Sequence, residues 1–252
     1  MGLLDFLRKI KALKSKLAPQ ALGITTARPW VDAQKYELDS AIHFMQSDFF
    51  KSTLDNFNNP ANLMSAGYVY PLTLTEFFAG DLSKWQNFVK HVTGKVVLEI
   101  GPCVASHLSL WDLAAERYAI DPLYNEILAY QQQKFGKTAF VNLQGFSMPA
   151  EVLIESLVNK VDGALLIRNC IDHSPLWPFI LSNIAEYMAK GGYLLIWNDL
   201  YHPPGYEEGH YDITDNVDAF RRLIKNMGFN IITEYQNNDS ACVNFGCLAI
   251  KR

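Results

Sequence analysis

The chain lacks most of what would place it outside a cell, in a membrane or on a nucleic acid. It has four cysteines, Cys103, Cys170, Cys242 and Cys247, and no two of them form a C-x-x-C pair. That fits a reducing cytoplasm better than a disulfide framework or a zinc site, and no metal-ligating residues are singled out. No apolar run approaches the ~20 residues that a helical membrane span needs. Charges interrupt the apolar positions at the N-terminus, so no signal peptide is expected. Neither charge sign dominates: 22 Lys and Arg against 26 Asp and Glu leave a net charge of −4, which gives no pull toward nucleic acid. There is no internal repeat and no low-complexity tract. Hydrophobic residues make up 49% of the 252, enough for one sizeable core, or one core with a smaller appendage.

Residues 95–102, Lys-Val-Val-Leu-Glu-Ile-Gly-Pro, organise the rest. So many apolar positions in succession suit the central strand of a parallel sheet, buried on both faces. An acid near the end of such a strand, Glu99, implies that something at its C-terminal end needs it. Gly101 allows a sharp turn and close backbone approach to a ligand. The pattern predicts a helix over 107–118, with its first N–H groups toward the same crevice. A second strand over 117–120 ends in Asp121, about twenty residues beyond the turn, where an acid suits the hydroxyls of a bound ribose.

Elsewhere, residues 2–17 are amphipathic, with Leu3, Phe6, Leu7, Ile10, Leu13 and Leu17 at helical spacing among Arg8, Lys9, Lys11, Lys14 and Lys16. Segment 1–18 reads either as a helix packed on the domain or as a basic interfacial helix drawn to anionic membrane or an acidic partner, peripheral to the inner face of a membrane. Residues 19–29 read as a linker. Residues 30–91 are rich in aromatics, with helical spacing over 33–57 and 74–92 and a break at Asn58-Asn59-Pro60. Most of these rings are expected in the core; Tyr68 and Tyr70, beside Pro71, are expected at a ligand. Beyond Asp121, the pattern predicts helices over 124–135, 151–157, 175–188 and 217–227. It predicts strands over 139–143, 163–167, 193–197, 230–235 and 242–250, and a polar loop over 198–212. The helix over 151–157 is expected to leave Glu151 in solvent.

Val97-Leu98-Glu99-Ile100-Gly101-Pro102, followed by Ala119-Ile120-Asp121-Pro122, resembles the first motif and acidic second-strand end of the class I S-adenosylmethionine-dependent methyltransferases, small-molecule type. Cys103 and Ala105 stand where that family usually has glycines. The Arg168-Asn169-Cys170-Ile171-Asp172-His173 run and Lys190-Gly191-Gly192-Tyr193-Leu194-Leu195-Ile196 also resemble family passages. The resemblance covers 93–252. It implies an α/β, doubly wound, mostly parallel seven-stranded sheet with an antiparallel C-terminal edge hairpin, preceded by a helical cap over 19–92. It also implies S-adenosyl-L-methionine as cofactor. Carried over by position, Glu99 orients the turn or the methionine amine, and Gly101, Pro102 and Cys103 pass beside the methionyl part. Asp121 takes the ribose hydroxyls, and Pro122 and Leu123 lie at the adenine. Gly145, Phe146 and Ser147 border the adenine, with Gln144 or backbone in place of an acid. Arg168 and Asn169 line the crevice near the methionyl group.

The reaction implied is methyl transfer to a small-molecule acceptor, a hydroxyl of a sugar, phenol or natural product. Its base is expected among His173, then His202 or His210, with Asp199 as an orienter. Two alternatives stand beside it. A nicotinamide-dependent oxidoreductase needs glycines where this chain has Cys103 and Ser106. A binding or interaction module with a degenerate cofactor site is compatible with Cys103 and Ala105. Nucleic-acid methylation is not expected, because the fourth strand lacks the Asn/Asp-Pro-Pro-Tyr/Phe ending.

Overall fold

The computed structural model describes residues 28–64, 77–204, 210–237 and 241–252. The amphipathic segment 1–18, most of the linker, Tyr68, Tyr70, Pro71 and Gly205 lie outside the described residues. Six α-helices are described: α1 (Arg28–Met45), α2 (Asp48–Phe57), α3 (Leu82–Val92), α4 (Tyr124–Phe135), α5 (Trp177–Tyr187) and α6 (Val217–Asn226). No described helix is long and apolar enough to cross a membrane.

The apolar runs become the strands β1 (Val96–Ile100), β2 (Glu116–Ile120), β3 (Gln144–Phe146), β4 (Ala164–Arg168), β5 (Tyr193–Tyr201), β6 (Phe229–Tyr235) and β7 (Val243–Lys251). They form one sheet in the order β3-β2-β1-β4-β5-β7-β6. The pairs from β3 to β5 are parallel; β7 runs antiparallel to both β5 and β6. Ile100 pairs with Ile120 on one side and Ile167 on the other, so β1, β2 and β4 end level. The residues that follow them therefore emerge around one crevice, where the chain order reverses.

Side-chain alternation divides the core between the two faces. Leu98, Ile100, Leu165, Ile167, Leu194 and Ile196 pack with Ile180 and Ile184 of α5 and Phe220 and Leu223 of α6. Val97, Ala119, Leu166 and Leu195 pack with Met45, Phe50, Leu54, Trp85 and Phe88 of α1, α2 and α3. The aromatic block is mostly core: the Phe88 ring lies 5.6 Å from Trp85, 5.3 Å from Trp111 and 5.7 Å from Tyr193. Ser47 accepts from the N–H of Phe50 and starts α2; Asp81 accepts from Ser83 and Lys84 and starts α3.

The helical stretch expected over 33–57 breaks at Gln46-Ser47 and that over 74–92 breaks at Ala79-Gly80, and four other local expectations fail. No α-helix spans 107–118; a 3-10 turn, His107–Leu110, leads to β2. Leu108, Ser109, Leu110 and Trp111 are all buried, which a surface helix with one apolar stripe does not allow. Residues 139–143 are not a strand, because side chains take their backbone groups. Gln131 Oε1 accepts from Ala139 N, and Ser109 Oγ accepts from Val141 N and donates to Ala139 O. Residues 151–157 form only a 3-10 turn at Glu155–Leu157; Tyr187 Oη and Asn183 of α5 bond the backbone of Ile154, Val152 and Ala150. Residues 198–201 belong to β5 and not to a loop, because β7 pairs with them.

Candidate active site

The level ends of β1, β2 and β4, roofed by α1, enclose a cleft of about 460 Å³, the size of a cofactor or small-ligand site. Its floor is Ile100, Gly101, Ile120, Asp121 and Cys170, and one wall carries Leu123, Ile127, Ala150 and Ile180. Gln34, Tyr36, Glu37 and Ser40 of α1 reach it from above.

Asp121 is fixed before any ligand arrives. Its Oδ1 accepts from Leu123 N at 2.8 Å and its Oδ2 from Cys103 N at 3.1 Å. This staples the turn after β1 to the turn after β2. Burial pushes the Asp121 carboxyl up to about 6, against the pull of those two N–H groups. Gly101 has a φ of +68°, and a Cβ there would sit 2.5 Å from Cys170 Sγ, so both backbone and packing require glycine. Cys103 is also left-handed, with a φ of +52°.

Glu99 does not line the cleft. It is buried, accepts from Ser106 Oγ at 2.5 Å, and lies 2.9 Å from His107 Nδ1. Its carboxylate holds the turn in place. Pro102 is beside the cleft without lining it, while Cys103, Pro122, Leu123, Arg168 and Asn169 lie along it. Arg168 also stacks over the Trp197 ring at 5.4 Å. Gly145, Phe146 and Ser147 are not on the cleft. A Cβ on Gly145 would lie 1.9 Å from the Tyr124 ring, so this glycine makes room for Tyr124. Phe146 stacks toward Tyr118, and Ser147 Oγ donates to Pro122 O. Gln144 is exposed.

The histidines separate. His173 and His210 line the cleft with rings 4.5 Å apart; His202 does not line it and is buried behind His210. Asp199 is buried away from the cleft as well and does not touch His173 in any described contact. Burial and the nearby Asp172 carboxylate push the Asp199 carboxyl above its ordinary range.

Two acids on the cleft escape a reading by motif. Glu37 Oε1 lies 3.1 Å from His173 Nδ1, and that bond holds the Glu37 carboxyl below its ordinary range. The signal for it is faint: an acid in register with Gln34 and Ala41 on one stripe of α1. Glu151, expected in solvent, is buried on the cleft wall and bonded to Ser174 Oγ; burial raises its carboxyl. Gln34 Oε1 is buried on the cleft with no hydrogen bond among the described residues. Such an acceptor calls for a ligand that donates.

No protein-family model and no curated protein sequence matches the chain. Solved structures do match its fold. The [4+2]-cyclase SpnF superposes with a TM-score of 0.50 at 12% identity over 67% of this chain and 80% of that one. A candidate sarcosine dimethylglycine methyltransferase from Galdieria sulphuraria superposes with a TM-score of 0.51 at 13% identity over 68% and 82%. A SAM dependent methyltransferase from Aquifex aeolicus aligns at 17% identity over 79% and 97%, with a TM-score of 0.45. The architecture is the Rossmann-like fold of the class I S-adenosylmethionine-dependent methyltransferases, with a seven-stranded mixed sheet whose β7 is reversed.

Proposed function

We propose that this protein transfers a methyl group from S-adenosylmethionine to a hydroxyl of a small-molecule acceptor. The observation that carries the reading is the cleft at the ends of β1, β2 and β4 with Asp121 already oriented in its floor. The residues present fit the cofactor. Asp121 accepts from the ribose hydroxyls, and Leu123, Ile127 and Pro122 pack on the adenine. Glu151 supplies the acid that the turn over 144–147 lacks and accepts from the adenine amine. Gly101 and Cys103 pass beside the methionyl part with Arg168 and Asn169, and Gln34 Oε1 accepts from its ammonium.

S-adenosylmethionine, when bound, supplies a methyl made electrophilic by its sulfonium. The protein's task is then placement for in-line attack and removal of the acceptor's proton. His173 is the base in this reading. Glu37 engages Nδ1 and fixes the tautomer, so Nε2 is the nitrogen left to take the proton. His210, packed on the His173 ring, borders the acceptor. His202 and Asp199 are off the cleft and take no part in proton transfer.

The reading is tested by thermal shift. A ligand that binds only the folded state at a hundredfold excess over Kd adds about 2.7 kcal/mol. S-adenosylmethionine and S-adenosylhomocysteine should both raise the melting temperature, and NAD should not. A shift with NAD alone contradicts the assignment. A second reading has a specific basis, since the fold also serves SpnF, a [4+2]-cyclase, and a fold does not set a reaction. Cofactor binding without methyl transfer to any hydroxylated acceptor favours that other chemistry, or a binding module, over methyl transfer.

A further inference from the structure

Behind the cleft wall lies a second polar cluster that the proposed reaction does not use. Asp172 follows β4 in the 3-10 turn Ile171–His173, Asp199 lies in β5, His202 follows β5, and Cys242 precedes β7. Their exposures are 0%, 6%, 7% and 8%. None of the four lines the cleft. One ligand atom each of Asp199, His202 and Cys242 lie within 4.8 Å of one another. Asp172 Oδ2 stands 3.2 Å from His202 Nε2, beside that group and not within it.

The cluster leaves an acceptor unsatisfied. Asp199 Oδ1 is buried with no hydrogen bond among the described residues, and Asp172 Oδ2 has only its ion-pair contact with His202 Nε2. A buried carboxylate oxygen without a donor is costly, and such an atom in a native structure calls for an ion or a bound water. The outward atoms of the same side chains are held. Asn198 Nδ2 donates to Asp172 Oδ1 at 2.8 Å, and His202 Nδ1 lies 3.2 Å from Asp212 Oδ1. A carboxylate on the far nitrogen of an imidazole is the usual support of a metal ligand, because it fixes the tautomer and the ring.

We propose that Asp199, His202 and Cys242 hold a zinc-type divalent ion, with the Asp172 carboxylate beside His202. The donor set decides the class of metal. A thiolate and an imidazole beside a carboxylate suit zinc, whereas calcium and magnesium take oxygen donors. Binding displaces the thiol proton of Cys242 to solvent and neutralises two of the three negative charges then gathered. The ion ties the end of β5 to the start of β7, next to the turn after β4, and these back the wall that carries His173 and His210. The neighbouring group Asp172, His173 and His210 is also within 4.8 Å. It has no sulfur, leaves Asp199 Oδ1 unsatisfied, and its His173 is engaged by Glu37. The inference stands apart from the methyl-transfer reading.

The test uses the full chain. Metal content of the purified protein is measured by mass spectrometry, and chelator-stripped protein is titrated with Zn2+ and with Co2+. The expected result is about one ion per chain, a rise in melting temperature with Zn2+, and a Co2+ spectrum with a thiolate-to-metal charge-transfer band. Cys242→Ser should abolish that band, and Asp199→Asn should weaken Zn2+ binding about a hundredfold or more. His210→Gln should change neither. Absence of stoichiometric binding by the folded wild-type chain overturns the proposal. So does a Co2+ spectrum without the thiolate band, or binding abolished by His210→Gln while Cys242→Ser keeps it. The wild-type spectrum decides even if a variant fails to fold.

Discussion

Asp121 and Asp199 are alike in burial and opposite in surroundings. Both are acids at the C-terminal side of the sheet, 7% and 6% exposed. Asp121 accepts two backbone N–H groups and faces the cleft, whereas Asp199 faces away from it and its Oδ1 accepts nothing among the described residues. Burial alone therefore does not mark a functional carboxylate. What separates the two is who supplies the donors: the protein's own turns at Asp121, and a partner still to be supplied at Asp199.

The strongest way to break the division between cleft and back layer is at the histidines. His173→Asn should lower turnover on the acceptor by roughly 10²–10⁴-fold, with S-adenosylhomocysteine affinity nearly unchanged by calorimetry. Retained turnover would remove His173 as base and with it the separation from His202.

The next effect contrasts two acids of neighbouring strands. Asp121→Asn should weaken S-adenosylhomocysteine binding by about 1.5–3 kcal/mol, the worth of hydrogen bonds to a charged group. Glu99→Gln should act on the melting temperature instead, because Glu99 bonds Ser106 and His107 and not the cleft. Equal affinity losses in the two variants would show that the turn and the ligand contact cannot be told apart.

A pH series sharpens the same point. The folded-state value of Asp121, about 6, lies above its ordinary 3.8. Its contribution to stability is thus fully present below about pH 3.8 and is lost as pH rises through about 6. Asp121→Asn should gain melting temperature relative to the wild type between pH 4.5 and 7.5. Ribose hydroxyls donate to the ionised form, so wild-type affinity for S-adenosylhomocysteine should fall below about pH 6, and the variant's should not. A flat wild-type profile would place the ribose elsewhere.

The smallest expected effect is at the turn itself. Cys103 holds a left-handed backbone at a cost of roughly 1–2 kcal/mol for a residue with a Cβ, and glycine would remove it at some cost in chain entropy. Cys103→Gly should leave cofactor affinity within about threefold and the melting temperature equal or higher, since only the Cys103 N–H contacts Asp121. A large loss of affinity would show that the cleft needs the sulfur.

Much of the fold was legible because it rests on local periodicity. The buried runs of β1, β4 and β5, α4 with its closing Gly136, and the final pair β6 and β7 all follow from apolar spacing and turn residues. Asp121 was legible too, because its place depends only on where β2 ends. Residues 107–118, 139–143 and 151–157 were not. In 107–118 four successive residues, 108–111, are buried, and in the other two backbone groups are taken by Gln131, Ser109, Asn183 and Tyr187, side chains distant in sequence, so no local pattern records either.

The sequence by itself determined the strand order's raw material, the turn at Gly101 and the acid at the end of β2, since these depend on residue type and near neighbours. Only the tertiary structure decided which acids and histidines meet. It turned Glu99 away from the cleft and brought Glu37 of α1 to His173, across 136 positions of chain. It drew Glu151 into the cleft wall and gathered Asp172, Asp199, His202 and Cys242 behind it. The reason is that a side chain's partner is set by the packing of whole elements against the sheet, and that packing minimises exposed apolar surface and unsatisfied polar atoms over the entire molecule at once.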